Sequence, residues 1–160
     1  DVDEQFNELF DCILIVSGKE KEVSSSAGHN LMNGHIYKEA RIEQANENFR
    51  NILSSMKYGD FKSFGNIIEN EALSLHAMMM TSDPSFILLH PNSISIINKI
   101  KKFRKESGVE CYFTIDAGPN IHLIGKNKDK DKIENFLNEE CKSLMTECIW
   151  DEIGEGIEIG

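Results

Sequence analysis

The chain has 160 residues, 40% of them hydrophobic, and a formal net charge of −10. That length suits one globular domain, which removes about 68–70% of its unfolded surface from water and needs neither a metal nor a disulfide to hold it. The acidic balance excludes duplex nucleic acid and anionic membrane as partners, because both demand a concentrated basic face; no apolar stretch approaches the ~20 residues that span a bilayer.

The opening residues 1–10 (DVDEQFNELF) read as the interior of a longer sequence, with no charged-then-apolar leader. Residues 11–16 (DCILIV) form a short apolar run closed by Ser17 and Gly18, the pattern of a buried strand. Ser24, Ser25, Ser26, Ala27 and Gly28 then lead into a helical pattern from about 29 to 57, in which Ile42, Phe49, Ile52, Leu53 and Met56 recur near the helical period. Tyr58, Gly59 and Asp60 make a turn, with Asp60 placed to cap a second helix running through Phe64, Ile67, Ile68, Ala72 and Leu75 to Met78, Met79 and Met80. Asp83 and Pro84 stop it. After a brief apolar stretch at 86–89, Asn92 is expected to cap a third helix carrying Ile96, Ile97, Ile100 and Phe103, which ends at Gly108.

Residues 112–120 (YFTIDAGPN) are the most informative in the chain. Tyr112, Phe113, Thr114 and Ile115 favour extended backbone, while Gly118 and Pro119 end it, so Asp116 is delivered to a tight corner at the end of a strand. Ala117 and Gly118 carry almost no side chain, which lets a ligand approach the backbone. A turn aspartate that merely hydrogen-bonds the following amides is the structural alternative. A strand at 121–124 leaves the corner and is expected to pair antiparallel with the first. Residues 129–144 alternate charged and apolar positions as an exposed amphipathic helix does, and 146–150 and 156–159 read as closing strands. The order describes an α+β sandwich, helices on one face of an antiparallel sheet, in a single domain covering 1–160.

Three hydroxyls at Ser24, Ser25 and Ser26, with Gly28 behind them, sit where the free N–H groups of a helix start converge, which suits an anion; one serine would suffice for an ordinary cap. Such a site matters in a chain whose long-range field repels phosphates. The histidines His29, His35, His76, His90 and His122 include no i,i+4 pair, so no metal site is expected. His76 opens an H-A-M-M-M run whose methionines are core formers, and it is a weaker candidate for substrate contact. Cys12 and Cys111 lie in apolar runs as small buried hydrophobes, and without any C-x-x-C pair a reduced, cytoplasmic setting is expected. Neither a Walker-type nor a G-x-G-x-x-G phosphate loop occurs in the right context, so the chain has no evident cradle for ATP.

Taken together, SSSAGH at 24–29, GDF at 59–61, EALSLHA at 71–77, TSDP at 81–84 and YFTIDAGPN resemble the C-terminal half of the diphosphomevalonate decarboxylase family, within the galactose, homoserine, mevalonate and phosphomevalonate kinase superfamily. The resemblance runs from about Ile13 to the final GIEI. It implies a ferredoxin-like α+β domain of an enzyme that uses ATP and Mg2+ to convert diphosphomevalonate to isopentenyl diphosphate, releasing CO2, ADP and phosphate. By position, Asp116 matches the catalytic aspartate, Ala117 a substrate-contacting neighbour, Ser25 and Ser26 the residues that hold the diphosphate or carboxylate, and His29 a pocket-wall position. Ser26 stands where some bacterial members carry arginine, so a fixed cation is missing there. The family's ATP-binding half lies outside this sequence, and the chain is expected to fold without catalysing alone. Homodimer contacts are also implied. A 3-kinase that phosphorylates the tertiary hydroxyl and stops, or a non-catalytic ligand-binding or dimerisation module, are the rival readings.

Overall fold

The computed structural model describes residues 2–18 and 34–154. A 3-10 turn, Glu4–Glu8, leads into β1 (Leu9–Ile15); the Asp3 carboxylate accepts the Gln5 amide at 3.1 Å to start it. Three helices follow, α1 (Lys38–Lys57), α2 (Phe61–Met80) and α3 (Pro91–Ser107), then β2 (Cys111–Thr114), β3 (Ile121–Lys126), α4 (Lys130–Phe136) and β4 (Glu147–Glu152). Neighbouring strands are antiparallel in the order β2-β3-β1-β4, the arrangement of a split β-α-β-β-α-β unit with, among the described residues, three helices in its first crossover. The expected α+β class and ferredoxin-like sheet are therefore the observed ones.

Strand alternation decides what each face does. Phe10, Cys12 and Leu14 of β1, Phe113 of β2 and Leu123 of β3 are buried against Ile96, Ile97 and Ile100 of α3 and against Ile133 and Phe136 of α4. Phe103 stacks on Phe136 with ring centroids 4.3 Å apart, locking the two helices together. On the other side of β2, Tyr112 joins Phe6, Leu9 and Phe61 in a smaller cluster, so α2 contributes Phe61 here and Ala72 to the main core. Gly65 permits this close approach, since a methyl at that position would overlap the Tyr112 ring.

As an edge strand, β2 needs outward partners for its backbone. A buried ion pair supplies them. Arg104 of α3 donates to Glu69 of α2 at 2.7 and 3.0 Å and to the Cys111 carbonyl at 2.6 Å, while Glu69 accepts the Phe113 amide at 3.3 Å. The guanidinium also lies 4.4 Å from the Tyr112 ring centroid.

Several boundaries differ from expectation for local reasons. The described helix α1 begins at Lys38, after a turn at 34–37, rather than near residue 29. Asp60 caps α2 as expected, its carboxylate accepting the Ser63 amide at 2.9 Å, and α2 ends at Met80, also as expected, ahead of Asp83 and Pro84. The cap of α3 is His90, not Asn92: Pro91 occupies the first helical position, where its missing N–H costs nothing, and His90 Nδ1 accepts the Asn92 amide at 3.1 Å. Residues 86–89 form no regular element, whereas Gly108 closes α3 at φ +72° as expected. The amphipathic stretch at 129–144 changes pitch, from α4 through a π turn at Leu137–Cys141 to a 3-10 turn at Lys142–Leu144. A closing strand is present as β4, while the one expected at 156–159 lies outside the described residues.

All four cysteines are free thiols. Cys12 and Cys111 are fully buried, and burial pushes the Cys111 thiol up to about 12, which keeps it an inert hydrophobe. No described helix is long and apolar enough to cross a membrane.

Two substitutions test the β2 supports. Glu69→Ala should cost about 3 kcal/mol, the low end of the range for breaking a buried pair, because the Arg104 side chain keeps 21% exposure and can still reach water. Gly65→Ala should cost about 1–3 kcal/mol through overpacking. Both are read as a shift of the urea midpoint at unchanged slope.

Candidate active site

β2 ends at Thr114, two residues before Asp116, so the acid sits on the corner itself rather than on the last residue of the strand. Ile115 turns into the core at 3% exposure and Asp116 turns out to solvent. The corner that carries it is tied to three elements. His76 of α2, 2% exposed, hydrogen-bonds the Asp116 carbonyl at 3.0 Å through Nε2. Ser93 of α3 donates to the Pro119 carbonyl at 2.6 Å, and the Asn120 side-chain oxygen accepts the Val16 and Ser17 amides at 3.0 and 3.2 Å. Gly118 closes the turn by donating to the Asp116 carbonyl at 2.8 Å.

These contacts give a rigid backbone bearing a free carboxylate. The turn-aspartate alternative is half realised, and by the main chain: the amide of Gly118 bonds the Asp116 carbonyl, and among the described residues the Asp116 carboxylate makes no hydrogen bond. Ala117 follows, half-buried and small, beside buried Gly118. Ser24, Ser25, Ser26 and His29 lie within residues 19–33, outside the described residues. The Asn120 clamp holds the end of the preceding strand, two residues from where that segment begins.

His76 is neither a loose core residue nor a surface contact. A carbonyl can only accept, so Nε2 carries the proton, and burial lowers the ring's proton affinity further. The methionines beside it divide: Met78 and Met79 are buried at 5%, and Met80 is 48% exposed.

Two partnerships escaped sequence reasoning. His122 on β3 holds Asp11 on β1, Nδ1 to Oδ2 at 2.7 Å, and the hydrogen bond from Asp11 raises its affinity for a proton. The expected antiparallel pairing of the two strands at the corner was the available sign that His122 lies near Asp116; nothing in the sequence marks Asp11 as its partner. Ser93, which holds Pro119, likewise had no signal beyond its place in the first turn of a helix. Among the described residues, no three His, Cys, Asp or Glu side chains gather to hold a metal ion.

The His76 contact carries a pH signature. Its folded proton affinity is depressed, so the stability it contributes is present above the unfolded value near 6.5 and is lost as pH falls below it. Between pH 7 and 5 the wild type should therefore lose stability more steeply than His76→Gln, measured by urea denaturation at each pH; parallel slopes would reject the buried neutral ring.

Comparison with known proteins places the chain. The family model for the mevalonate 5-diphosphate decarboxylase C-terminal domain matches residues 12–155. Phosphomevalonate decarboxylase of Haloferax volcanii is 26% identical over 103 residues, which cover 64% of this chain and 32% of that protein. Diphosphomevalonate decarboxylase of Saccharomyces cerevisiae is 29% identical over 131 residues, 79% of this chain and 33% of the relative. The crystal structure of the Staphylococcus aureus mevalonate diphosphate decarboxylase superposes with a TM-score of 0.85 at 25% identity, covering 95% of this chain and 45% of that one. Another similar structure, TM-score 0.83 at 24% identity over 94% of this chain and 45% of its own, was solved with MVAPP, AMPPCP and magnesium. The chain thus spans about a third of the length of the curated relatives it matches. Together, the match over most of its length and the shared fold make the chain a member of the mevalonate 5-diphosphate decarboxylase C-terminal domain family.

Proposed function

We propose that this chain is the substrate-binding and catalytic-aspartate domain of an ATP-dependent decarboxylase that converts diphosphomevalonate to isopentenyl diphosphate. The observation that carries the reading is the exposed Asp116 carboxylate on a backbone held from α2, α3 and β1. A tertiary alcohol is a poor acid, so a base beside it helps only when its position is fixed in advance.

In this reading Asp116 accepts the proton of the tertiary hydroxyl as that oxygen attacks the γ-phosphorus of ATP and ADP departs. The C–O bond to the new phosphate then breaks, and the developing positive carbon is stabilised by the nearby carboxylate charge. Loss of CO2 supplies the electron pair of the alkene. Ala117 leaves room for the substrate beside that acid, Ser25 and Ser26 hold its diphosphate or carboxylate, and His29 takes a pocket-wall position. ATP and Mg2+ are held mainly by a half that lies outside this sequence, so the chain alone does not turn over; the assembled protein is a cytoplasmic homodimer.

The test joins the chain to an ATP-binding half from its own gene or from the yeast relative, and follows CO2 and ADP release. Decarboxylation supports the proposal, ADP release without CO2 identifies a 3-kinase, and an inert but ligand-binding protein identifies a binding module. In the active fusion, Asp116→Asn should lower turnover by at least about a hundredfold while leaving diphosphomevalonate affinity within about tenfold. Unchanged turnover would remove Asp116 from the mechanism.

A further inference from the structure

Strand register sets out the sheet face that lies opposite the α3 and α4 layer. Thr114, His122, Ile13 and Ile149 form one row across all four strands, and Ile124, Asp11 and Asp151 form the next. Near Tyr112 this face is covered by the smaller apolar cluster; further along it opens, with Ile149 42% exposed and the side chains of His122 and Asp11 31% and 32% exposed. Asp116 emerges on the corner two residues beyond Thr114, the last residue of β2 and the one that pairs with His122.

His122 is oriented from one side only. Its Nδ1 bonds Asp11 at 2.7 Å, and among the described residues Nε2 has no hydrogen-bond partner. The second oxygen of Asp11 is buried with no partner among the described residues, which leaves that carboxylate dependent on the ring for compensation. The charges that act on His122 are those of Asp11 from β1 and Asp116 from the corner; Asp151 lies across from Asp11 on β4, and Glu71 of α2, at the groove reaching Thr114, is already paired with Arg41 of α1. A cation at this point therefore has a field to answer.

We propose that His122 is a positioning residue that acts through Asp116: its ring, held through Nδ1 by Asp11 one row from the corner, presents a positive charge to the sheet face from which the ligand-meeting carboxylate emerges. The hydrogen bond to Asp11, with the charges of Asp11 and Asp116, favours the protonated ring against the opposing effect of burial. In a chain of net charge −10, this is how a local cation can be kept at an acidic site. The kinetic consequence rests on the decarboxylase reading; the electrostatic coupling does not.

The first experiment is an NMR titration of the His122 ring in the 160-residue chain. It should titrate above the ordinary histidine value of about 6.5 and fall in both Asp11→Asn and Asp116→Asn. If Asp116→Asn leaves it unmoved, His122 serves only Asp11 and Asp151 and the proposal is wrong. The second uses the active fusion: His122→Gln should lower kcat about tenfold with KM within about threefold, whereas His122→Lys, which keeps a charge, should recover most of the loss. Wild-type kcat should decline as pH rises through the ring's titration, and the lysine variant should not follow it. Equal defects in the glutamine and lysine variants, or a defect confined to KM, overturn the assignment. Coupling by NMR combined with an active Asp116→Asn enzyme would instead sink the catalytic reading and leave the His122–Asp116 pairing intact.

Discussion

An ion pair standing where a fifth strand would otherwise go governs the geometry of this domain. Among the described residues β2 has β3 on one side only, yet its outward Cys111 carbonyl and Phe113 amide are satisfied by Arg104 and Glu69. Those two side chains come from different helices, so one contact fixes α2, α3 and β2 relative to one another. Leaving either charge without the other inside the protein is expensive, which makes the arrangement close to all-or-none. Everything downstream on β2 inherits its position, including the corner that presents Asp116.

Two histidines within reach of that corner show how environment divides one residue type. His76 is buried, neutral and spends its single proton on a backbone carbonyl. His122 is a third exposed and bonded to Asp11, with the charge of Asp116 also acting on it, which favours its cation. They titrate in opposite senses: acid weakens the support that His76 gives the backbone, and alkali removes the charge that His122 carries. The bond His76 makes to the corner and the charge at His122 therefore persist together only in an intermediate pH range.

How much of this could be read from residues alone depends on whether the cause is local. Asp60 as a cap, Gly108 at positive φ, and the D-A-G-P corner with a strand on each side are short-range chemistry and were legible. Pro91 also carried a usable sign, since proline at the first helical position moves the cap back to His90, and the preference of asparagine for caps misled. By contrast, His76 lies 40 residues from Asp116, and Asn120 lies 104 residues from Val16. Periodicity identified the elements that carry them but could not say which polar side chain would close on which backbone group. The change of pitch after Phe136 was also hidden, because pieces of five and three residues are too short for their own period to show in the apolar pattern.

The opposite rim of the sheet has its own logic. Among the described residues β4 has a neighbour only at β1, and its exposed Glu147, Asp151 and Glu152 stud the margin that remains. Were two copies to approach margin to margin, carboxylates would meet carboxylates, and adding a strand would cost repulsion before any backbone bond formed. One border is thus sealed by a matched pair of opposite charges and the other carries exposed acids, of which Glu152 alone is held by a cation, Lys130, so among the described residues the sheet stays four strands wide.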